Sequence, residues 1–312
     1  MDRLTYIIGR LLQMVPLILG ITILTFLLVH LIPGDPALVI LGIKASPESL
    51  ALMTKRMGLD KPLWVQFGIF ANNLLHGNFG DSLVYRVPVL DLIKARLPVT
   101  LFLAAYAAIL AVLMAVPLSL LASLRRNGPL DQGIRAVSVF FMSTPGFWVG
   151  IMLLILFGIK IPIFPVGGAG DTFPQRLSHL FLPALALGLE LAAVLTRNLR
   201  DALIATMSSD HVTFARAKGL RERLVLSKHV LRNSLVSTLT LLGVYMSWLV
   251  GGSVVIETVF ALPGVGWTMI QAIMGRDYPV VLGLTFTFGI LVSLVFLVTD
   301  IAYSFLDPRV TL

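Results

Sequence analysis

Glu190 is the residue of this sequence best placed to do chemistry: a lone acid near the centre of the apolar run 180–197. A charge at the middle of a bilayer is costly unless it is paired or wetted. Three roles are open to it. It could be a protonation site in a proton-coupled secondary transporter, a polar residue lining a translocation path, or a carboxyl held neutral in a helix contact. It has no intramembrane basic partner, since Arg10 and Arg197 stand at run ends. His30 and Asp300, the other ionisable residues there, lie near run ends and reach the interface, which suits a structural role. No G-x-x-x-x-G-K-[ST] phosphate loop occurs, so the chain does not itself hydrolyse ATP. Neither H-E-x-x-H nor G-x-S-x-G occurs, so no metalloprotease or serine-hydrolase centre is indicated. With no cysteine there is no disulfide, thiolate nucleophile or cysteine metal site. His30, His76, His179, His211 and His229 are dispersed without ligand spacing, and no metal site or cofactor is indicated.

The most polar stretch is Ser208–Arg232, SSDHVTFARAKGLRERLVLSKHVLR, between two long apolar runs. It opens as a short helix. Ser208, Ser209 or Asp210 can cap the free N–H groups, and Asp210 suits the positive end of the helix dipole. Gly219 sits where a left-handed C-terminal residue is wanted. About nine residues between these signals make a rod roughly 14 Å long. A second amphipathic helix starts near Arg221 and enters the next apolar run, with Arg221, Lys228 and Arg232 on one side. Such a rod is either a handle for another protein or an ordinary basic loop.

These features need a frame to hold them. The chain has 312 residues, 57% hydrophobic and 13% charged, which fits an all-α polytopic membrane protein rather than a soluble domain. Six runs reach the roughly 20 residues of a spanning helix: 10–31, 99–123, 136–159, 180–197, 233–256 and 281–306. Together they form a single transmembrane domain over 1–312, with an external segment at 32–98 and a polar loop at 198–232. The first run is too long for a signal-peptide core and has no small-residue cleavage site, so it reads as an uncleaved anchor. Orientation follows from Lys and Arg in the short loops. Arg3, Arg10, Arg125, Arg126, Arg135, eight residues from Arg197 to Arg232, and Arg309 fall on one side. Only Lys160, Arg176 and Arg276 fall on the other. Both termini and the 198–232 loop are therefore expected in the cytoplasm. The net charge of +8 belongs to these loops, and no nucleic-acid partner is indicated.

The external segment is too long to be plain coil. Pro33-Gly34-Asp35-Pro36 makes a turn after the first span. Ser46 caps a helix with Pro47 at its first position and Gly58 near its end. A second helical stretch carries Trp64, Phe67 and Phe70, which serve as a lid, a docking face or interfacial anchors. Ser143-Thr144-Pro145-Gly146 places helix breakers inside the third span, as a kink bordering a pathway or a packing kink. Beyond Glu257 and Phe260, Ala261-Leu262-Pro263-Gly264-Val265-Gly266 turns the chain back, either as a re-entrant plug or as a loop before a short helix at 266–275.

Taken in order, HLIPGDP at 30–36, GNFGDS at 77–82, RLPVTL at 96–101, STPGFWVG at 143–150, DHVTFARAKGL at 210–220, the ALPGVG run, RDYPV at 276–280 and DPR at 307–309 carry a family resemblance. End to end, the chain resembles the inner-membrane permease subunits of bacterial ABC importers for dipeptides, oligopeptides and nickel. Its long external loop is like that of the first of the two permeases in such systems. The resemblance implies a type I ABC importer permease fold with no chemistry on this chain. It implies a cytoplasmic EAA-type loop whose coupling helix docks on a separate ATPase, carried here by Asp210, Ala215, Arg216, Ala217, Lys218, Gly219 and Leu220, with His229, Leu231, Arg232 and Asn233 beyond. His211, Thr213 and Phe214 stand where the family usually shows Tyr, Arg and Thr, and Ser237 where proline is common. The implied partners are a second homologous permease, two ABC ATPases that bind ATP and Mg, and a periplasmic or extracellular solute-binding protein. Glu190, Ser143 and Pro145 are the candidate pathway residues. Glu257, Pro263 and Gly264 are the candidate external gate or receptor contact.

Overall fold

The computed structural model of the chain describes residues 3–31, 46–57 and 60–306. The Pro33-Gly34-Asp35-Pro36 turn, Gly58 and the Asp307-Pro308-Arg309 run lie outside the described residues. The fold is helical. An isolated antiparallel bridge between Asp81 and Pro88 is the one β pairing among the described residues. In chain order the helices are α1 (Arg3–Leu31), α2 (Pro47–Met57), α3 (Leu63–Leu75), α4 (Val89–Leu124), α5 (Pro129–Ser143) and α6 (Gly146–Leu153), which continues as a π-helical turn over Leu154–Lys160. After these come α7 (Phe173–Met207), α8 (Asp210–Ala217), α9 (Glu222–Val259), α10 (Val265–Met274) and α11 (Tyr278–Leu306).

Among the described residues α4, α7, α9 and α11 are long and apolar enough to cross a bilayer, and α5 with α6 adds a fifth span if the bent pair counts as one. α1 is 29 residues long with Pro16 inside it. The kink expected within the run 136–159 is a sharp bend: α5 and α6 meet at 104°. The break has a local cause. Pro145 supplies no N–H and pushes the preceding residue out of the helical region. Thr144 accordingly sits at φ −97°, ψ 129° and closes α5. Its hydroxyl donates back to the Phe140 carbonyl at 2.7 Å.

The core is built on small residues. Leu103, Ala104, Ala107, Ala108, Ala111 and Ala115 of α4 meet Leu187, Leu191, Ala192 and Leu195 of α7, and Leu249 and Ile256 of α9 close the cluster. Small side chains let helix backbones approach closely where lipid removes most of the hydrophobic drive. Gly188 marks the nearest approach, since a Cβ there would stand 3.0 Å from the Ala107 carbonyl oxygen.

The long helices start ahead of their apolar runs, and α4, α5 and α7 show how. α4 begins at Val89, behind Pro88, and carries Asp91, Lys94 and Arg96 before turning apolar. α5 begins at Pro129 behind Gly128. α7 begins with a capping box in which Gln175 accepts the Thr172 N–H at 3.1 Å. In the 32–98 segment Ser46 caps α2 as expected, accepting the Ser49 N–H at 3.2 Å. The aromatic residues of α3 divide. Phe67 and Phe70 pack on Phe26 of α1, with ring centroids 5.4 and 5.6 Å away, and Trp64 is exposed.

Candidate functional site

The short helix α8 is clamped on one face and open on the other. Val212 and Ala215, three residues apart and so on one face, are buried with Leu199 and Leu203 of α7 and Val225 and Val230 of α9. Phe214 is 63% exposed, with the Lys218 ammonium 4.6 Å from its ring centroid. His211 and Arg216 are exposed as well. Ser209 is the N-cap residue in extended conformation, but its hydroxyl donates to the Thr206 carbonyl instead of capping. Asp210 occupies the first turn.

The end of α8 is a Schellman turn. Gly219 N–H donates to the Arg216 carbonyl at 2.9 Å and Leu220 N–H to the Ala215 carbonyl at 3.4 Å. Gly219 takes φ +75°, the left-handed conformation expected from its position. Across the turn Arg216 donates to Glu222 at 2.7 Å, and this bond holds the guanidinium above its ordinary range. Asn233 donates to the His229 carbonyl at 2.9 Å and lies 3.3 Å from Nε2 of His211. One carried-over residue, Asn233, therefore bridges another, His229, to a residue that departs from the family pattern.

Glu190 lies on α7 beside the α5–α6 break. A Cβ on Gly146 would stand 3.6 Å from its Oε2. The carboxylate is half-buried, and no ion pair or hydrogen bond reaches it among the described residues. Its neighbour is the N-terminus of α6, where free backbone N–H groups and the helix dipole favour a negative charge. That placement explains how one acid is tolerated there without a basic partner. It brings Glu190 to Pro145 and Gly146, and Ser143 closes α5 just before them.

Two loops are held by buried acids that gather distant motifs. Glu257, fully buried at the end of α9, accepts from Thr100 of α4 at 2.7 Å, from Ser253 at 3.2 Å and from the Trp267 N–H of α10 at 3.0 Å. Thr100 in turn accepts the Val265 N–H at 2.9 Å. The ALPGVG turn is thereby fastened to RLPVTL from inside. Pro263 is half-buried and Gly264 buried, and the short helix that follows runs over Val265–Met274. Asp277, also fully buried, accepts from Ser82 at 2.5 Å and from the Leu83 and Val84 N–H groups at 3.2 and 3.1 Å, fastening GNFGDS to RDYPV. Replacing Glu257 with Ala leaves Thr100 and the Trp267 N–H without acceptors. A buried group so stranded costs about 1–3 kcal/mol. Faster amide exchange over 260–268, with α9 still protected, is the expected result; unchanged exchange would show that the carboxylate does not hold the loop.

Motif reading misses one buried pair entirely. Arg200 of α7 donates from Nε and Nη2 to the two carboxylate oxygens of Asp131 at 2.6 Å each, and from Nη1 to Asp201 at 2.8 Å. Asp131 is inaccessible and also accepts the Asn127 N–H at 2.8 Å. Counted by sequence, Arg200 is one more loop charge; in the fold it lies inside α7 and ties α5 to it. The available signal is Asp131 in the first turn behind Pro129.

Comparison with known proteins gives this geometry a family. Residues 115–312 match the binding-protein-dependent transport system inner membrane component, and residues 3–104 match the N-terminal membrane component of the same systems. The oligopeptide transport system permease protein of Bacillus subtilis is 37% identical over 311 residues, covering 98% of both chains. The dipeptide transport system permease protein of Lactococcus lactis is 38% identical over 308 residues, covering 98% of this chain and 99% of its own. A chain of the MetNI methionine ABC transporter, solved in inward facing conformations, matches with a TM-score of 0.59 at 18% identity. The match covers 69% of this chain and 96% of that one, and it shows the fold. The chain belongs to the family of inner membrane components of binding-protein-dependent transport systems: it is a multi-pass permease subunit of an ABC importer, whose family works with an ATPase, a substrate-binding protein and a second permease.

Proposed function

We propose that the chain forms half of the pathway of a peptide importer and couples to its motor through α8. A second homologous permease supplies the other half. Two ABC ATPases bind ATP and Mg, and a solute-binding protein delivers substrate outside. Both termini and the 198–232 loop face the cytoplasm, as the asymmetry of Lys and Arg favours. Peptides are the substrate class because relatives with full-length similarity include oligopeptide and dipeptide permeases. The observation that carries the coupling role is the build of α8. Val212 and Ala215 fix it to two spans and Gly219 locks its end, while Phe214, His211 and Lys218 stay free to enter a groove on another protein. Asp210, Arg216, Ala217 and Leu220 complete that element. A rod so attached moves with α7 and α9, so closure of the ATPases on ATP favours one state of the pathway and hydrolysis restores the other.

Glu190, Ser143 and Pro145 line the pathway in this reading. The support is an unpaired carboxylate at a helix break, the type of site where irregular backbone is tolerated at membrane depth. Pro263 and Gly264 form an external gate with Glu257 as its internal strut. Burial of Glu257 favours the strut over direct contact with a receptor.

The test is purification of the chain from its host in mild detergent with identification of the chains that accompany it. A second six-span permease and one or two proteins with Walker A sequences are expected; a lone homo-oligomer would sink the reading. On the same preparation, Glu190→Gln removes a carboxylate–dipole interaction of about 0.3–1 kcal/mol. ATP-driven uptake is expected to fall by less than about tenfold, since a tenfold change needs about 1.4 kcal/mol. Complete loss, with the complex intact, would show that Glu190 carries a proton or is otherwise indispensable.

A further inference from the structure

A cleft of about 500 Å³ opens between the α4–α5 turn and the last turns of α7. Arg126, Arg135, Arg197 and Arg200 line it, with one lining carboxylate, Asp201. Arg200 is occupied by Asp131 and Asp201. Arg126, Arg135 and Arg197 are exposed and make no hydrogen bond or ion pair among the described residues, although Arg135 feels Asp131 at longer range. A second observation points into the same space. Thr196 lines the cleft and is 2% exposed, yet its hydroxyl has no hydrogen-bond partner. Buried hydroxyls are nearly always paired, and an orphan in the wall of a basic cavity calls for an acceptor there. Three unpaired guanidiniums and a free donor are the chemistry of an anion site, most of all for a phosphate.

We propose that this cleft binds a phosphate-bearing anion, namely the headgroup of an anionic phospholipid of the cytoplasmic leaflet. Depth and surroundings favour a lipid over free phosphate. Thr196, Arg197 and Arg200 stand about 10–16 Å from the end of α7, at about 1.5 Å per residue. Arg197 closes the apolar run 180–197, which sets the cleft at the edge of the hydrocarbon layer, where headgroups begin. Val139 lines the cleft, and Val137 and Phe140, three residues apart and so on one face of α5, are apolar and more than half exposed, a surface for acyl chains. Basic pockets between spans on the cytoplasmic side take anionic headgroups in the same way. A lipid seated here touches both α7, which leads directly into α8, and α5, which leads to the break beside Glu190. The lipid thereby braces the link between motor and pathway.

Binding of the lipid rests only on the orientation given under the proposed function, and its bracing role rests on the coupling proposed there. Its test is native mass spectrometry of the detergent-purified transporter complex, offered phosphatidylglycerol, phosphatidylcholine or inorganic phosphate. The intact complex is expected to retain phosphatidylglycerol over phosphatidylcholine. The triple variant Arg126→Gln, Arg135→Gln, Arg197→Gln is expected to lose that preference by roughly tenfold or more. Thr196→Val removes little more than a hydroxyl and is expected to weaken retention by a smaller factor; it decides the matter if the triple variant does not assemble. Inorganic phosphate bound by wild type and not by the variants, with no lipid preference, would keep the anion site and overturn the lipid as its source. Equal retention of every probe by wild type and Thr196→Val would overturn the site itself. Peptide uptake measured on the same preparations separates the two ideas, because lipid retention remains readable in a complex that moves no peptide.

Discussion

Gly219→Val should cut uptake by roughly 5–30-fold while leaving the chain in the membrane, the range that a strain of about 1–2 kcal/mol produces in a two-state population. The strain comes from the backbone rather than from crowding. Nothing lies within 4 Å of a Cβ built on Gly219, but its φ of +75° is a conformation that a β-branched residue hardly adopts. Val must therefore swing the chain to negative φ, which breaks the paired bonds from Gly219 to Arg216 and from Leu220 to Ala215. The Arg216–Glu222 pair across the turn cannot compensate, because both side chains are exposed and the interaction is screened. α8 then keeps its attachment through Val212 and Ala215 but loses its fixed angle to α9. Substrate-stimulated ATPase activity should fall together with uptake, at unchanged membrane levels of the chain. Gly219→Asn is the control. Asparagine tolerates the left-handed region far better, so it should retain most transport. Normal uptake by the Val variant, or equal failure of Asn and Val, would remove the turn from the coupling mechanism.

The turn was legible in the sequence because all of its causes are local: a polar start, a helix-length gap and a glycine. The ends of the long helices were less so. Hydropathy finds the apolar middle of α4 and stops where Asp91, Lys94 and Arg96 begin, although the helix continues to Pro88. At α7 the apolar run begins at 180, while the capping box at Thr172 and Gln175 shows that the helix starts at Phe173. Breakers at Thr144-Pro145 could be read as a kink, but the angle of 104° depends on packing of α5 and α6 against other spans. Least legible were the contacts between motifs. Thr100 and Glu257 are 157 residues apart and Ser82 and Asp277 are 195 apart, so each acid has a visible motif around it and no visible partner. Glu257 reads as an external contact until burial turns it into a strut. Arg200 misleads most, since a basic residue next to an apolar run looks like an orientation signal whether it is wet or buried.

Asp131→Ala should destabilise the chain by about 3 kcal/mol, the low end for breaking a buried ion pair, since the cleft beside it admits solvent. The cost lies in what remains. Arg200, with its side chain 11% exposed, keeps only Asp201 as a partner, and Asp201 is itself largely exposed. The Asn127 N–H loses its acceptor as well, so the α4–α5 turn loosens where Asn127 already holds φ +61°. α5 is then no longer tied to α7 at its first turn, and the bend that sets α6 beside Glu190 loses its fixed end. The double variant Asp131→Leu, Arg200→Met separates charge from packing. Replacing both partners with apolar side chains removes the stranded charge, and such replacements are often neutral. Thermal unfolding of the purified complex should therefore rank wild type and the double variant close together, with Asp131→Ala well below both. Were the single variant as stable as wild type, the pair would be incidental. Were the double variant as unstable as the single one, the tie between α5 and α7 would depend on the geometry of the paired guanidinium and carboxylate, and not on relief of a buried charge.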